Sequence, residues 1–150
     1  MLELKFEECR EEYWDFMRCL RSDPRVQAGF VDQVSITADE QRTFMMRNGQ
    51  HYQIALIGTR PVGYFGFIGP SRSEVTICVL PEESGKGIGR MLIKKSLTYG
   101  DRVWAKVKND NIPSLRIMKG QFSFHQQRSE MIIFAQSPDA MRHALNEFEA

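Results

Sequence analysis

The sequence predicts an α+β fold: a mixed, mainly antiparallel sheet flanked by helices, with an extra helix at the C-terminal end. Three observations carry that prediction. Short strand-like runs follow one another between residues 52 and 80, separated by tight turn sequences. Stripes of apolar residues at helical spacing stand on either side of them. Between the strand-like segments 74–80 and 103–107 lies a glycine-rich turn that opens a helix, which marks one strand–turn–helix–strand unit. No low-complexity linker or internal repeat divides the 150 residues, a length that suits one domain over 1–150.

Each element has its own signal. Leu2, Leu4 and Phe6 alternate with polar residues, as a half-buried first strand would. From about 11 to 21, Tyr13, Trp14, Met17 and Leu20 recur at helical spacing. Asp23-Pro24 then stops that helix, because proline disfavours helical geometry in the residue before it. The stretch 29–36 carries no clear pattern and reads as loop. Thr37-Ala38-Asp39-Glu40 is a capping box, in which the Thr37 hydroxyl and the Glu40 carboxylate each meet an orphan backbone N–H. Phe44 and Met45 supply the apolar side of this second helix, and Asn48-Gly49 a left-handed stop.

Segments 52–57 and 62–68 flank the turn Gly58-Thr59-Arg60-Pro61 as a hairpin, and a third strand runs over 74–80 until Leu80-Pro81 ends it. The helix that follows runs through Leu97, with Ile88, Met91 and Leu92 apolar and Lys94 and Lys95 near the end where the dipole favours cations. After strand 103–107, Asn111 caps a helix with Pro113 in its first turn, where a missing N–H costs nothing. Phe122, Phe124 and the run 131–135 suggest a final strand pair. Ser137-Pro138 opens the last helix, striped by Met141, Leu145 and Phe148. That stripe reads as a face docked on the sheet, with a homodimer contact as the alternative.

Composition excludes several classes. Lys plus Arg number 20 against 19 acidic residues, a net charge of +1 that exerts little general pull on nucleic acid or an anionic membrane. No apolar run approaches the length of a bilayer span, and residues 1–8 are acidic and alternating, unlike a signal peptide. The three cysteines, Cys9, Cys19 and Cys78, fit neither a disulfide framework nor a zinc spacing. The eight methionines suggest pliable packing. The expectation is a cytoplasmic protein without a metal.

The sharpest chemical signal is Ser84-Gly85-Lys86-Gly87-Ile88-Gly89-Arg90. A glycine-rich turn opening a helix presents free N–H groups and a positive dipole end to an anion. Glycines let a phosphate approach the backbone and supply positive φ, and Lys86 and Arg90 add charge. The Walker pattern fails because Gly87 follows Lys86, and the dinucleotide pattern fails at Arg90. Taken alone, the turn is equally well read as a tight connection packed on its strand.

The wider context resembles one family. Val79-Leu80-Pro81, then the run from Gly85 to Leu92, and downstream Val107, Asn111, Ser114-Leu115 and Phe122 to Phe124, resemble the two hallmarks of the GNAT superfamily of acetyl-CoA-dependent N-acetyltransferases. The resemblance is strongest over 74–124. It implies that strand 74–80 splays from its neighbour and that the pantetheine arm of acetyl-CoA inserts like an extra strand. Along it, the backbone of Cys78, Val79 and Leu80 would meet the arm, and an N–H near Cys78 would polarise the thioester. Gly85, Lys86, Gly87, Ile88, Gly89 and Arg90 would receive the pyrophosphate, and the Asn111 amide would bind the arm or the thiol side.

Two positions depart from the family pattern. Ser84 stands where Gln or Arg is usual. Met118 stands where a tyrosine usually protonates the thiolate, and a thioether donates no proton. That leaves Ser114, a water, or unaided departure of a fairly acidic thiol. The resemblance also puts Glu74 where several members carry a catalytic glutamate. Strand parity sends Glu74, Thr76 and Cys78 to one face and Val75, Ile77 and Val79 to the core. Glu74 is therefore the candidate base for the amine, against the plainer reading of a solvated carboxylate after a turn. His51, His125, Tyr52 and Tyr64 rank below it as packing or surface residues.

The implied function is direct transfer of acetyl from acetyl-CoA to a primary amine of a small molecule, with a diffuse upstream likeness to enzymes acting on nucleotide-linked amino sugars. The alternatives are a protein or peptide amine, a polyamine or an antibiotic as acceptor, a non-catalytic acyl-CoA sensor, and a structural subunit docked through its last helix.

Overall fold

The computed structural model describes residues 3–30 and 35–150. Its strands are β1 Lys5–Glu8, β2 Tyr52–Ile57, β3 Arg60–Ile68, β4 Glu74–Val79, β5 Trp104–Lys108, β6 Phe124–Arg128 and β7 Met131–Ala135. They form a seven-stranded sheet in the order β1-β2-β3-β4-β5-β7-β6. Every neighbouring pair is antiparallel except β4 and β5. A parallel pair needs a crossover, and here the glycine turn and the helix after it provide one. The helices are α1 Trp14–Ser22, α2 Pro24–Gln27, α3 Ala38–Asn48, α4 Ile88–Ser96, α5 Ile112–Gln121 and α6 Pro138–Phe148.

Alternation along the strands assigns the layers. Ala55, Phe65, Val75, Ala105 and Val107 face α4 and α5, where Ile88, Leu92, Ile93 and Leu115 complete a core. Leu92 and Ile93 are fully buried, which stabilises by about 1.5–3 kcal/mol each. The opposite face is covered in two patches. Met17, Leu20 and Met45 from α1 and α3 lie over Ile54, Tyr52, Tyr64 and Cys78. Ala140, Met141 and Ala144 from α6 lie over Trp104, Ile133 and Ala135. The C-terminal stripe therefore docks on its own sheet. Between these two patches runs a seam, and Glu74 lies in it.

Several local expectations change. The helix after Thr37 has its full capping box, with Thr37 Oγ1 accepting from Glu40 N–H at 3.1 Å and Glu40 Oε1 accepting from Thr37 N–H at 3.1 Å. Its end is not left-handed: Gly49 has φ −54° and the chain continues into a 3-10 turn, Gly49–His51. Asp23-Pro24 ends α1, but Pro24 also begins α2, because Asp23 caps it through Arg25 N–H and proline suits a first helical position. The hairpin turn narrows to Gly58-Thr59, with β3 starting at Arg60. Leu2, and residues 31–34 of the stretch read as loop, lie outside the described residues.

The capping box sets the start of α3, one wall of the cleft described below. Thr37→Ala should lower unfolding free energy by about 1 kcal/mol, measured by urea denaturation. A change within error would mean the box contributes nothing net.

Candidate active site

The site begins where the parallel pair fails. β4 and β5 share a single paired position, Glu74 with Trp104, beside which Trp104 N–H donates to the Ser73 carbonyl at 3.1 Å. Past it the two strands diverge, while β4 stays paired with β3 from Ile68↔Glu74 to Gly63↔Val79. Leu80 N–H extends that ladder to the Val62 carbonyl at 2.8 Å. Bonding and non-bonding positions alternate in an antiparallel ladder. The backbone groups of Cys78 and Leu80 therefore face β3, and those of Ile77 and Val79 face the gap.

This shifts the sequence expectation by one residue. Of Cys78, Val79 and Leu80, only Val79 presents its backbone to the gap, and Ile77 joins it. Leu80 is further engaged by accepting from Glu83 N–H at 2.8 Å. Side-chain parity, which the sequence does reveal, says where Cβ points. The direction of the N–H follows from the register with β3.

Next to the gap lies the glycine floor. Gly85 and Gly87 both have φ of +81°, and a Cβ at either would meet nothing within 4 Å, so the backbone there is open to a ligand. Met91 N–H makes the first helical bond, to the Gly87 carbonyl at 3.1 Å, which leaves the N–H groups of Ile88, Gly89 and Arg90 outside the helix's own pattern. Gly89 has a different reason: a Cβ there would come within 2.7 Å of the Ile117 Cδ1, so the Ile117 side chain would have to shift where α4 meets α5.

The two cations part company. Arg90 is exposed and lines the cleft. Lys86 does not line it, and its Nζ instead donates to Glu83 at 2.6 Å. Glu83, also paired with Arg60 at 2.6 Å, is held below the usual carboxylate range by the Lys86 and Arg60 hydrogen bonds. Ser84 Oγ donates to the Pro81 carbonyl at 2.7 Å. Lys86 and Ser84 thus brace the turn that presents the glycines.

The gap and the floor open into one cleft of about 1350 Å³. Its far wall is α5, where Ser114 is half-buried and Met118 buried, both lining the cleft. Asn111 caps α5 by accepting from Ser114 N–H at 3.3 Å, and its Nδ2 donates to the Gly29 carbonyl at 3.1 Å. That contact ties α5 to the end of α2 across the cleft mouth. The other half of the cleft is walled by α1 and α3 and floored by Tyr52, Tyr64, Thr76 and Glu74.

Glu74 is not solvated. It is 7% exposed, and Lys106 Nζ stands 3.5 Å from its carboxylate. Burial raises its pKa; Lys106 pulls the other way, and Glu147 of α6 adds a raising contribution. Cys78 is buried, its thiol pushed up to about 12 by desolvation, so it carries no thiolate at neutral pH. Tyr64, opposite Cys78 in the ladder, has its pKa raised well above the usual value by burial and stays protonated. His51 and His125 lie away from the cleft, the first at a separate surface cavity and the second exposed on β6.

Among the described residues, no cluster of His, Cys, Asp and Glu could hold a metal ion, and no helix is long and apolar enough to cross a membrane.

Comparison with known proteins places this geometry in context. The model of the acetyltransferase (GNAT) family matches residues 6–124. Spermidine N-acetyltransferase from Vibrio cholerae, solved with CoA and spermine, superposes with a TM-score of 0.72 at 14% identity, covering 89% of this chain and 95% of that one. The Salmonella typhimurium protein yncA, solved with its cofactor acetyl-CoA, gives 0.71 at 14% identity over 90% and 95%. A GNAT-family acetyltransferase from Bacillus anthracis gives 0.71 at 18% identity over 90% and 94%. At these identities the likeness is one of fold. A search of curated protein sequences gives no significant match.

The raised pKa of Glu74 has a consequence for stability. A carboxyl that binds its proton more tightly when folded contributes stability at low pH and loses it as pH rises through the folded pKa. Glu74→Gln resembles the protonated form, so its melting temperature relative to the parent should rise between pH 5 and pH 8. Lys106, partly exposed, keeps its hydration in the variant. A relative fall over the same range would contradict the burial assignment.

Proposed function

The chain belongs to the acetyltransferase (GNAT) family, and from that premise we propose that it moves acetyl from acetyl-CoA to a primary amine of a small molecule by direct attack. The observation that carries this reading is the gap between β4 and β5, with its open backbone beside the glycine floor. Ile77 and Val79 would pair with the pantetheine arm as a missing strand would. The N–H groups at Gly87, Ile88, Gly89 and Arg90, with the Arg90 side chain, suit the pyrophosphate. CoA in a structural relative is consistent with that fit.

The chain's own groups then divide the chemistry. An amine is largely protonated at neutral pH and must lose a proton before it attacks. Glu74, buried at the seam with a raised pKa, is the base, directly or through a water. The nitrogen–carbon bond forms as the carbon–sulfur bond breaks. Negative charge developing on the thioester oxygen is met by a gap-facing N–H, of which Val79 supplies the nearest to the family position. The nitrogen gives up its second proton to solvent or toward the sulfur as the amide forms, and the departing sulfur is protonated through Ser114, by water, or after release. Cys78, with its thiol protonated, forms no acyl intermediate. The acceptor enters between the early helices and the sheet; an amino sugar, including a nucleotide-linked one, fits this reading, and a protein or peptide amine is the alternative.

Met118 favours one further reading, an acyl-CoA-binding module without turnover, because it removes the usual proton donor. Turnover decides between them.

Calorimetry with acetyl-CoA should give saturable binding that Gly87→Glu abolishes, since a side chain there would occupy the phosphate position. No affinity at near-millimolar protein would overturn the cofactor assignment. For the base, kcat/KM should fall with decreasing pH through an acid limb above the ordinary carboxylate pKa of about 4.3, because the working form is deprotonated. Glu74→Gln should remove that limb and lower kcat by about 10²–10⁴-fold. An unchanged pH profile would remove Glu74 from the base role.

A further inference from the structure

Lys106 stands on β5 two residues past Trp104, so strand parity puts it on the outer face with Glu74. In a continued parallel ladder it would lie beside Thr76. The strands part there, and its Nζ instead comes back across the splay to within 3.5 Å of the Glu74 carboxylate. Its backbone is fixed in the ladder with β7, opposite Ile133, and its side chain is 31% exposed, so the stem lies on the sheet while the ammonium keeps water. Both partners line the cleft. A half-buried ion pair contributes little net stability, because desolvation offsets the attraction. What the pair does change is the state of Glu74. Burial favours a neutral carboxyl, which accepts no proton, and an adjacent ammonium favours the charged form. Of the elements packed around Glu74, β3 presents Ile68, β5 presents Trp104 and Lys106, and α6 presents Glu147. Glu147 opposes Lys106. One of its carboxylate oxygens lies 3.0 Å from His143 Nε2, and the other is buried with no hydrogen-bond partner among the described residues. Arg21 and Glu40 stand on the α1 and α3 walls of the same cleft.

We propose that Lys106 is a positioning residue for the base: its ammonium, reaching across the strand splay, holds the Glu74 carboxylate ionised and in place beside the acceptor half of the cleft. The inference rests on the acetyl-transfer reading and deepens it, by assigning the group that keeps the base ready. Lys106 itself touches no reacting atom. Each cycle begins with Glu74 charged and paired with Lys106. When Glu74 takes the amine proton its carboxyl becomes neutral and the pair weakens, and loss of that proton to water in the cleft restores it. The break in the sheet that leaves Ile77 and Val79 facing the gap thus also delivers the counter-charge to the base.

The test reads Glu74 directly. In protein labelled with carbon-13 at the glutamate side-chain carboxyls, the Glu74 NMR signal is identified by its loss in Glu74→Gln and followed through a pH titration. In Lys106→Met, which keeps the stem, the titration midpoint should rise by about one unit or more. Lys106→Arg should hold it near the parent value, and Glu147→Gln should lower it. An unmoved midpoint in Lys106→Met, or one that Lys106→Arg raises as far, overturns the proposal. So does a rise in Glu147→Gln, which marks a general rearrangement. Should Lys106→Met not fold, Lys106→Gln takes the same reading. Kinetics provide a second readout, with acetyl-CoA and whichever of glucosamine, ethanolamine and spermidine is turned over fastest. The parent-to-variant ratio of kcat/KM for Lys106→Met cancels the amine's own ionisation. It should rise about tenfold toward acid pH and return close to one on the alkaline side. A loss of the same size at every pH would make Lys106 a group that touches the substrate, and overturns the positioning role. A midpoint that moves as expected while Glu74→Gln turns over normally would bring down the base reading and leave the Lys106–Glu74 pairing standing. The carboxyl titration decides even where none of these amines is turned over.

Discussion

One constraint organises this molecule: β4 and β5 pair at Glu74↔Trp104 and then part. A continuous parallel ladder would have used the backbone groups of Ile77 and Val79 and closed the sheet. Their divergence leaves those groups facing a gap, in a region where both sheet faces are otherwise covered. Buried backbone donors and acceptors need partners. The gap is thus a strand-shaped deficit, filled by water or by something with the hydrogen-bonding pattern of an extended chain. The helix that must cross from β4 to β5 starts at the open end of the same gap, so its orphan N–H groups point at one end of whatever fills the deficit. Strand divergence and helix start are parts of one topological feature, which is why a strand-like gap and a helix start with free N–H groups occur together.

Much of this was legible in the sequence. The capping box at Thr37, the hairpin strands, the cap at Asn111 and the stripe of α6 depend on contacts within a few residues or on a simple period. They came through with small changes at the ends. The glycine turn was legible because Gly85 and Gly87 carry a left-handed backbone that few other residues adopt. What failed depended on a second segment. Which backbone groups of β4 face the gap is set by its register with β3, and that register has no local signature in either strand. The roles of Lys86 and Ser84 changed because Glu83 and Pro81 lie close enough to engage them. Gly49 stayed right-handed because the chain turns at once into β2 through a 3-10 turn.

The outer face, in the seam and beneath α1 and α3, concentrates groups that local stability would not select. Glu74 is buried with a raised pKa, and Tyr52 and Tyr64 hold buried phenols whose pKa is raised by desolvation. A fold is least consistent with its own rules where a ligand supplies the missing interactions. Among the described residues, the opposite face has no such cluster: Leu92, Ile93, Val62 and Phe134 are simply buried. The asymmetry separates a structural face from a working one.

The same asymmetry bears on the proton balance of the proposed reaction. Starting from the ammonium, nitrogen gives up two protons, one before attack and one as the amide forms, while the sulfur takes up one, and the chain provides for the two ends unequally. An alkyl ammonium has a pKa near 10, as lysine does, while a thiol lies near 8.5. At neutral pH the nucleophile is mostly disabled by its proton, and removing it before attack is obligatory. The leaving group is intrinsically stable as an anion, so protonating it assists less. A site with one strong provision would place it at the nitrogen. Glu74, raised by burial and only partly restrained by Lys106, is such a provision. Met118 on the thiol side offers none, and Ser114 nearby is at most a weak donor. Substitution at the thiol side is thus the departure that this chemistry tolerates best.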